Sequence, residues 1–339
     1  MAVGILGTGS YLPAQVVTNA DLAPRVPGAD PDWISRKTMI QARRFAAPEQ
    51  AASDLAAIAA QAALRDAGVH PADLDFLIVS TSTPDMPQPP TATIVQRMIG
   101  AERAACFDIN VVCAGFVFAL SVAESLVAVN PEARILVVAT DVYSRILDFT
   151  DRRTAVLFGD GAGAVVVGAG PDGYGIIERE LVSRGDAGGL IHVDAGGSRL
   201  PASPYTVAHG QHYFQMDGRG VRDFVNTGVP PALNMLLKRA GAVPEDVQHF
   251  IPHQANGVML RELVGEAQLE NAITHLTLDR YGNVGSASVP VTLDEAARSG
   301  ALHDGDLVLL AGFGGGMSVG AALLRWGPTS AAPANPTPA

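Results

Sequence analysis

Cysteine is scarce in this chain. Only two are present, Cys106 and Cys113, with no Cys-x-x-Cys pair and no Cys/His ligand spacing, which excludes a disulfide framework and a structural zinc site. Charge is sparse as well: 17% of the 339 residues are Asp, Glu, Lys or Arg, and the formal net charge is −11. That balance argues against nucleic acid as a partner. Long hydrophobic runs are missing too. The longest, Cys113 to Val129, is short for a membrane span and carries Glu124. The opening residues, Met1 to Gly9, read as neither a signal nor a transit peptide. These absences predict a soluble protein in a reducing, cytoplasmic setting, away from membranes.

What is abundant is apolar residues, at 48%, enough for one large core or two fused domains. The acidic total does not exclude an anionic ligand, because a local patch can reverse the sign. Arg36, Lys37, Arg43 and Arg44 form one candidate patch, and Arg152 with Arg153 another. Short β-branched runs alternate with Ala-rich helical patterns, the signature of an α/β protein. Strands are predicted at 76–80, 135–139, 164–167, 249–252 and 307–311, nearly continuous apolar runs suited to burial on both faces. Helices are predicted at 53–67, 92–99, 115–127, 221–240, 258–267 and 289–299.

The chain also repeats itself. Ala67-Gly68-Val69-His70-Pro71-Ala72-Asp73-Leu74 precedes one predicted strand, and Ala240-Gly241-Ala242-Val243-Pro244-Glu245-Asp246-Val247 precedes another, an offset of 173 residues (Pro71 to Pro244). The Leu136 and Leu309 strands share that register, and it carries Cys113 onto Ser286. An internal duplication follows: two α/β halves, 1–172 and 173–327, as one pseudo-symmetric unit. The Pro/Ala/Thr-rich tail, 328–339, reads as disordered.

Chemistry has few candidate residues. A buried cysteine is commonly only a small hydrophobe, yet Cys113 falls where a strand pattern turns into a helix, a place expected to stabilise a thiolate. Cys106 reads as core. His253, after a predicted strand, and Asn283, in a Gly-Asn turn, are unconvincing singly. With Cys113 they make a nucleophile, an imidazole and an amide donor. The stretch Gly4 to Pro13 lacks the spacing of a dinucleotide loop, and Pro13 interrupts the helix that should follow. The run Phe158-Gly159-Asp160-Gly161-Ala162-Gly163 reads as a tight turn opening a strand. The run Gly312-Phe313-Gly314-Gly315-Gly316 allows close backbone approach, as needed to aim an N–H at an oxyanion.

Several separated motifs then resemble the β-ketoacyl-acyl carrier protein synthase III family of the thiolase superfamily, over residues 3–327. They are Gly7-Thr8-Gly9-Ser10-Tyr11-Leu12-Pro13, Asp32-Trp33-Ile34, Cys113-Ala114-Gly115-Phe116, Thr150-Asp151-Arg152 and Phe158 to Gly163. Pro252-His253-Gln254-Ala255-Asn256, Gly282-Asn283 and Phe313-Gly314-Gly315-Gly316 complete the set. The resemblance implies a thiolase-like fold in five αβαβα layers. It implies that Cys113 takes an acyl group from acyl-CoA, with His253 and Asn283 stabilising the enolate of a malonyl thioester, malonyl-ACP among them. Backbone N–H groups of Cys113 and Gly315 would form the oxyanion hole. Trp33 and Arg152 would hold the adenine of coenzyme A. Lys37 stands where an arginine is common, and Arg219 and Asn256 would lie by the pantetheine tunnel. Gln88 would reach a partner subunit's acyl pocket, in a homodimer. No metal or redox cofactor is implied.

The pattern departs from the family in places. Asp223, Val258 and Gly265-Glu266 stand where basic residues often dock the acidic acyl carrier protein, so docking is weakened. Met39 replaces a common glycine. An alternative therefore stands beside condensation: acyl transfer to a hydroxyl, amine or carrier thiol without decarboxylation. A non-catalytic partner subunit would be expected to have lost Cys113. A thiolase or hydroxymethylglutaryl synthase needs a second catalytic Cys or a Glu that is not found, and chalcone-type synthases differ in the late glycine loop.

Overall fold

Two five-stranded sheets organise the computed structural model, which describes residues 2–327. The first runs, edge to edge, Ala2–Tyr11, Asp160–Gly170, Ile135–Val142, Phe76–Ser80 and Ala105–Ile109. Its first three strands pair antiparallel and the remainder parallel. The second runs Gly175–Ser183, Ser318–Arg325, Leu307–Gly314, His249–Pro252 and Ile273–Thr274. It repeats the same order of senses: two antiparallel pairings, then two parallel ones.

Helices complete five layers. Ala52–Ala67 and Thr91–Ile99 cover the outer face of the first sheet, and Gly218–Arg239 covers the second, with Gly257–Glu266 packed beside it. Gly115–Val129 and Ser288–Arg298 lie between the sheets. The first turns of Gly115–Val129 are packed between the two sheets, so the helix is apolar along most of its length, although Val122, Ser125, Ala128 and Val129 are exposed. That position explains why Val112–Val129 is long and apolar enough to cross a membrane by composition.

The predicted helices and strands are all present, with ends displaced by up to four residues. The strand Ala2–Tyr11 was not predicted, because its three glycines mask the apolar alternation. Two of them serve packing: a Cβ on Gly7 would lie 2.4 Å from the Ala67 nitrogen, and one on Gly9 2.3 Å from the Ala63 nitrogen. The helix Ala52–Ala67 thus rests directly on the strand backbone. Cys106 packs against the core from the edge strand Ala105–Ile109, where it is half-buried, with its thiol donating to the Ala104 carbonyl at 3.2 Å. The tail 328–339 lies outside the described residues.

Candidate active site

The turn that carries Cys113 links the edge strand Ala105–Ile109 to the central helix Gly115–Val129. Val112 enters it at φ 46°, a rare conformation for a β-branched residue and a mark of local strain. The glycine run after Leu307–Gly314 closes over this turn. Gly314 has φ 155°, and a Cβ there would lie 2.8 Å from Cys113 Cβ and 3.1 Å from its Sγ. A Cβ on Gly315 would lie 2.9 Å from Val112 Cβ. No side chain fits between the two segments, so the Gly315 N–H, together with that of Cys113 itself, is directed at the sulfur.

The thiol does not behave as its position at a helix start predicts. Burial pushes Cys113 up to about 12, and the nearby negative charge of Asp141 adds to the rise. The two N–H groups oppose this without overcoming it. Desolvation wins because Cys113 is buried, whereas a helix terminus offers only partial charges. The resting group is a protonated thiol.

His253 follows the strand His249–Pro252 and is buried, its own N–H donating to the Ala311 carbonyl at 2.6 Å. Its ring meets Phe313 edge-on, with centroids 5.6 Å apart. Burial pulls the imidazole down to about 3, so it is neutral. Among the described residues, its Nδ1 is buried without a partner. Asn283 is pinned by its backbone, donating to Leu157 at 2.8 Å and accepting from Gly159 at 2.9 Å. Its Oδ1 accepts the Gly285 N–H at 2.9 Å. That bond fixes the amide orientation and leaves Nδ2 as a donor.

Cys113, His253 and Asn283 line one cavity of ≈ 470 Å³, together with Val112, Phe158, Phe214, Phe313 and Gly314. Its outer part is bounded by Trp33, Arg36, Lys37, Arg152, Arg153 and Arg222. The Arg152 guanidinium stands 5.0 Å from the Trp33 ring centroid and donates to the Gly28 carbonyl at 2.6 Å. Arg153 is paired with Asp151 and Arg222 with Glu262.

Three expectations change, at Arg219, Arg43 and Arg44. Arg219 does not line the cavity: Gly218, Val221, Arg222 and Val225 do, a helical stripe that turns residue 219 aside. Arg43 is fully buried, not part of a surface patch, and donates to the Val17 and Val156 carbonyls and to Asn19 Oδ1. Arg44 is likewise drawn to the Pro13 carbonyl. Gln88 lies on an exposed loop and does not line this cavity within one chain. Asn256 lines it, but its Oδ1 caps the helix Gly257–Glu266 and its Nδ2 donates to the Lys37 carbonyl. Met39 ends the helix Pro31–Thr38 at φ 65°, and a Cβ on Gly257 would lie 2.6 Å from its sulfur. Sequence reasoning missed Arg222, Phe214 and Met216. The stripe of residues 218, 221, 222 and 225 was the available signal for the first.

The layers and the neighbours in structure define a class: a thiolase-fold acyltransferase of the condensing kind. Residues 107–185 match the family model described as 3-oxoacyl-[acyl-carrier-protein (ACP)] synthase III, and residues 237–326 match that of its C terminal. The chain is 51% identical over 325 residues to the acetoacetyl CoA synthase NphT7 of Streptomyces sp. (strain CL190), covering 95% of this chain and 98% of that one. It is 44% identical to the beta-ketoacyl-[acyl-carrier-protein] synthase III of Caldanaerobacter subterraneus subsp. tengcongensis, at 96% and 98% coverage. Among solved structures, 3-oxoacyl-[acyl-carrier-protein] synthase III from Aquifex aeolicus VF5 superposes with a TM-score of 0.88 at 36% identity, covering 96% of this chain and 100% of that one. The priming beta-ketosynthase of the R1128 polyketide pathway gives 0.89 at 34% identity, with 96% and 97% covered. Within that class, the chain belongs to the β-ketoacyl-acyl carrier protein synthase III family.

Proposed function

We propose that this chain loads an acyl group from acyl-CoA onto Cys113 and condenses it with a malonyl thioester, with loss of carbon dioxide. The observation that carries this reading is a single cavity joining Cys113, His253 and Asn283 to a mouth that pairs Trp33 with Arg152. Sulfur attack on the thioester forms the acyl–sulfur bond and breaks the bond to coenzyme A, which departs as its thiol with the proton that Cys113 gave up. The Cys113 and Gly315 N–H groups would hold the oxyanion of that step. In the second step, His253 Nε2 and Asn283 Nδ2 would donate to the malonyl thioester oxygen. Two neutral donors stabilise the enolate left when carbon dioxide departs, and its carbon attacks the acyl-Cys113 carbonyl. The new carbon–carbon bond replaces the acyl–sulfur bond, and the released Cys113 thiolate takes a proton from solvent. A neutral His253 suits this role, since a donor is needed and not a charge.

Coenzyme A is favoured as the carrier of the malonyl group as well. Among the described residues, the cationic side chains without carboxylate partners at the mouth are Arg36, Lys37 and Arg152, which suit the phosphates of a nucleotide. The neighbouring face carries Asp223 and Glu266, and Arg222 is already neutralised by Glu262, a poor match for an acidic carrier protein. The relative named acetoacetyl CoA synthase agrees with this choice, and those named acyl-carrier-protein synthases favour malonyl-ACP. We further infer a homodimer, through which Gln88 would reach its partner's pocket, and a cytoplasmic setting consistent with two free cysteines. The repeated sheet topology supports halves of residues 1–172 and 173–327. The chemistry calls for no metal or redox cofactor.

Intact-protein mass after mixing with acyl-CoA thioesters tests the loading, with Cys113→Ala as control. Malonyl-CoA or malonyl-ACP added to the acylated protein then distinguishes condensation from transfer. A β-ketoacyl product supports the proposal, and an adduct that only moves to another acceptor supports simple acyl transfer. No adduct on Cys113 would overturn both.

A further inference from the structure

Behind the cavity lies a carboxylate that the mechanism above does not use. Asp141, near the end of the strand Ile135–Val142, is fully buried. One oxygen accepts four donors: the Ser82 N–H and hydroxyl, both at 2.9 Å, Thr83 Oγ1 at 3.1 Å and Thr81 Oγ1 at 3.3 Å. The other accepts a single one, the Ser286 N–H at 2.9 Å. That last bond crosses from the first half of the chain to the turn that follows Asn283.

The turn is built around the carboxylate. Gly285 has φ 57°, and a Cβ there would lie 2.3 Å from Asp141 Oδ2 and 2.4 Å from the Tyr143 ring. The Gly285 N–H is the group that orients the Asn283 amide. A chain of contacts therefore runs from Asp141 to Ser286, through Gly285, to Asn283 Oδ1. A second tie, Ser80 Oγ to Ser286 Oγ at 2.6 Å, holds the same turn. No cation bonds to Asp141 among the described residues. The titratable groups that feel its charge are Cys113 and Tyr143.

We propose that Asp141 is a positioning residue for the condensation step, holding the Gly285–Ser286 turn so that the Asn283 amide faces the malonyl thioester. The inference rests on the condensing reading above. It predicts that the two half-reactions respond differently when Asp141 changes. In Asp141→Asn the end with four donors keeps the oxygen, and the new amino group meets the Ser286 N–H, donor against donor. The turn shifts, and Asn283 loses its aim. Loading of Cys113 does not use Asn283, and removal of the negative charge favours the thiolate.

The test measures both steps on the full chain, using acetyl-CoA for loading and malonyl-CoA for condensation. Asp141→Asn is expected to lower the condensation rate of pre-acylated protein about tenfold or more, with KM for malonyl-CoA changed by less than about twofold. Its loading rate at a given pH should equal or exceed that of the unaltered chain. Equal losses in both steps, or an unchanged condensation rate, would overturn the inference. Should the variant fail to fold, the unaltered protein decides. Burial lifts Asp141 to about 6, so protonation below that pH converts an acceptor into a donor. Condensation by pre-acylated protein should then fall as pH drops from 8 to 5, whereas His253, near 3, gives no limb there. A flat profile would also overturn it. A chain that loads acetyl-CoA but condenses with no malonyl thioester would sink the condensing reading itself, and this inference with it.

Discussion

Replacing Gly314 by alanine should separate stability from chemistry within one short run. Gly314 lies at φ 155°, ψ −135°, a region essentially closed to residues with a Cβ, at a cost of about 1–3 kcal/mol. The new methyl carbon would also lie 2.8 Å from Cys113 Cβ and 3.1 Å from Sγ. The first distance is shorter than real Cβ contacts allow, so the sulfur or the glycine run must move. A displacement of even 1 Å at a reacting atom costs about a hundredfold in rate. Gly316, two residues on, is the matched control. It has φ 73°, is exposed, and a Cβ there meets only Ser318 Oγ at 3.6 Å. Gly316→Ala should cost about 1 kcal/mol of stability from its backbone alone. Thermal unfolding and acylation by acetyl-CoA, followed by intact mass, would be measured on both variants. Gly314→Ala is expected to lose loading about a hundredfold, and Gly316→Ala to load within about threefold of the unaltered chain. A Gly314→Ala protein that is folded and loads normally would refute the argument that this backbone shapes the thiol pocket.

Other outcomes follow from the same geometry. His253→Ala or Asn283→Ala should leave Cys113 acylation intact while reducing condensation by about 10²- to 10³-fold, the usual loss for one oxyanion donor; equal losses in both steps would count against the enolate role. Trp33→Ala and Arg152→Ala should each raise KM for acyl-CoA about two- to fivefold, the worth of an exposed cation–π contact. Arg219→Ala, whose position turns away from the cavity, should leave KM unchanged. Because burial lifts Cys113 from 9.0 to about 12, the free protein holds roughly a thousandfold less thiolate at neutral pH than an ordinary thiol. Its alkylation by iodoacetamide should therefore rise about tenfold per pH unit from 7 to 9.5; a rise that levels off around pH 9 would show an unperturbed thiol.

Local pattern carried much of the reading. The strands 76–80 and 249–252 are nearly continuous apolar runs bounded by turn residues, and both occur with those ends. Cys113, His253 and Asn283 were legible as candidates because each follows a strand or a glycine turn, where α/β proteins expose side chains. Charged residues were harder. Arg43 and Arg44 resemble a surface patch in the linear chain, yet Arg43 fills a fully buried slot lined by carbonyls. Asp141 gave no signal at all, since its donors come from residues 81–83 and 286.

Periodicity and residue type were enough to show the α/β alternation and to single out three polar groups as candidates, because each of these is written in neighbouring positions of the chain. The folded arrangement was needed to show that the three groups share one cavity, that Arg222 and not Arg219 faces it, and that the Cys113 thiol is raised. Each of those depends on which atoms approach through space and on how much water they exclude. Desolvation and charge act across a fold, between residues such as Asp141 and Ser286 that are remote in the chain, where no local pattern reaches.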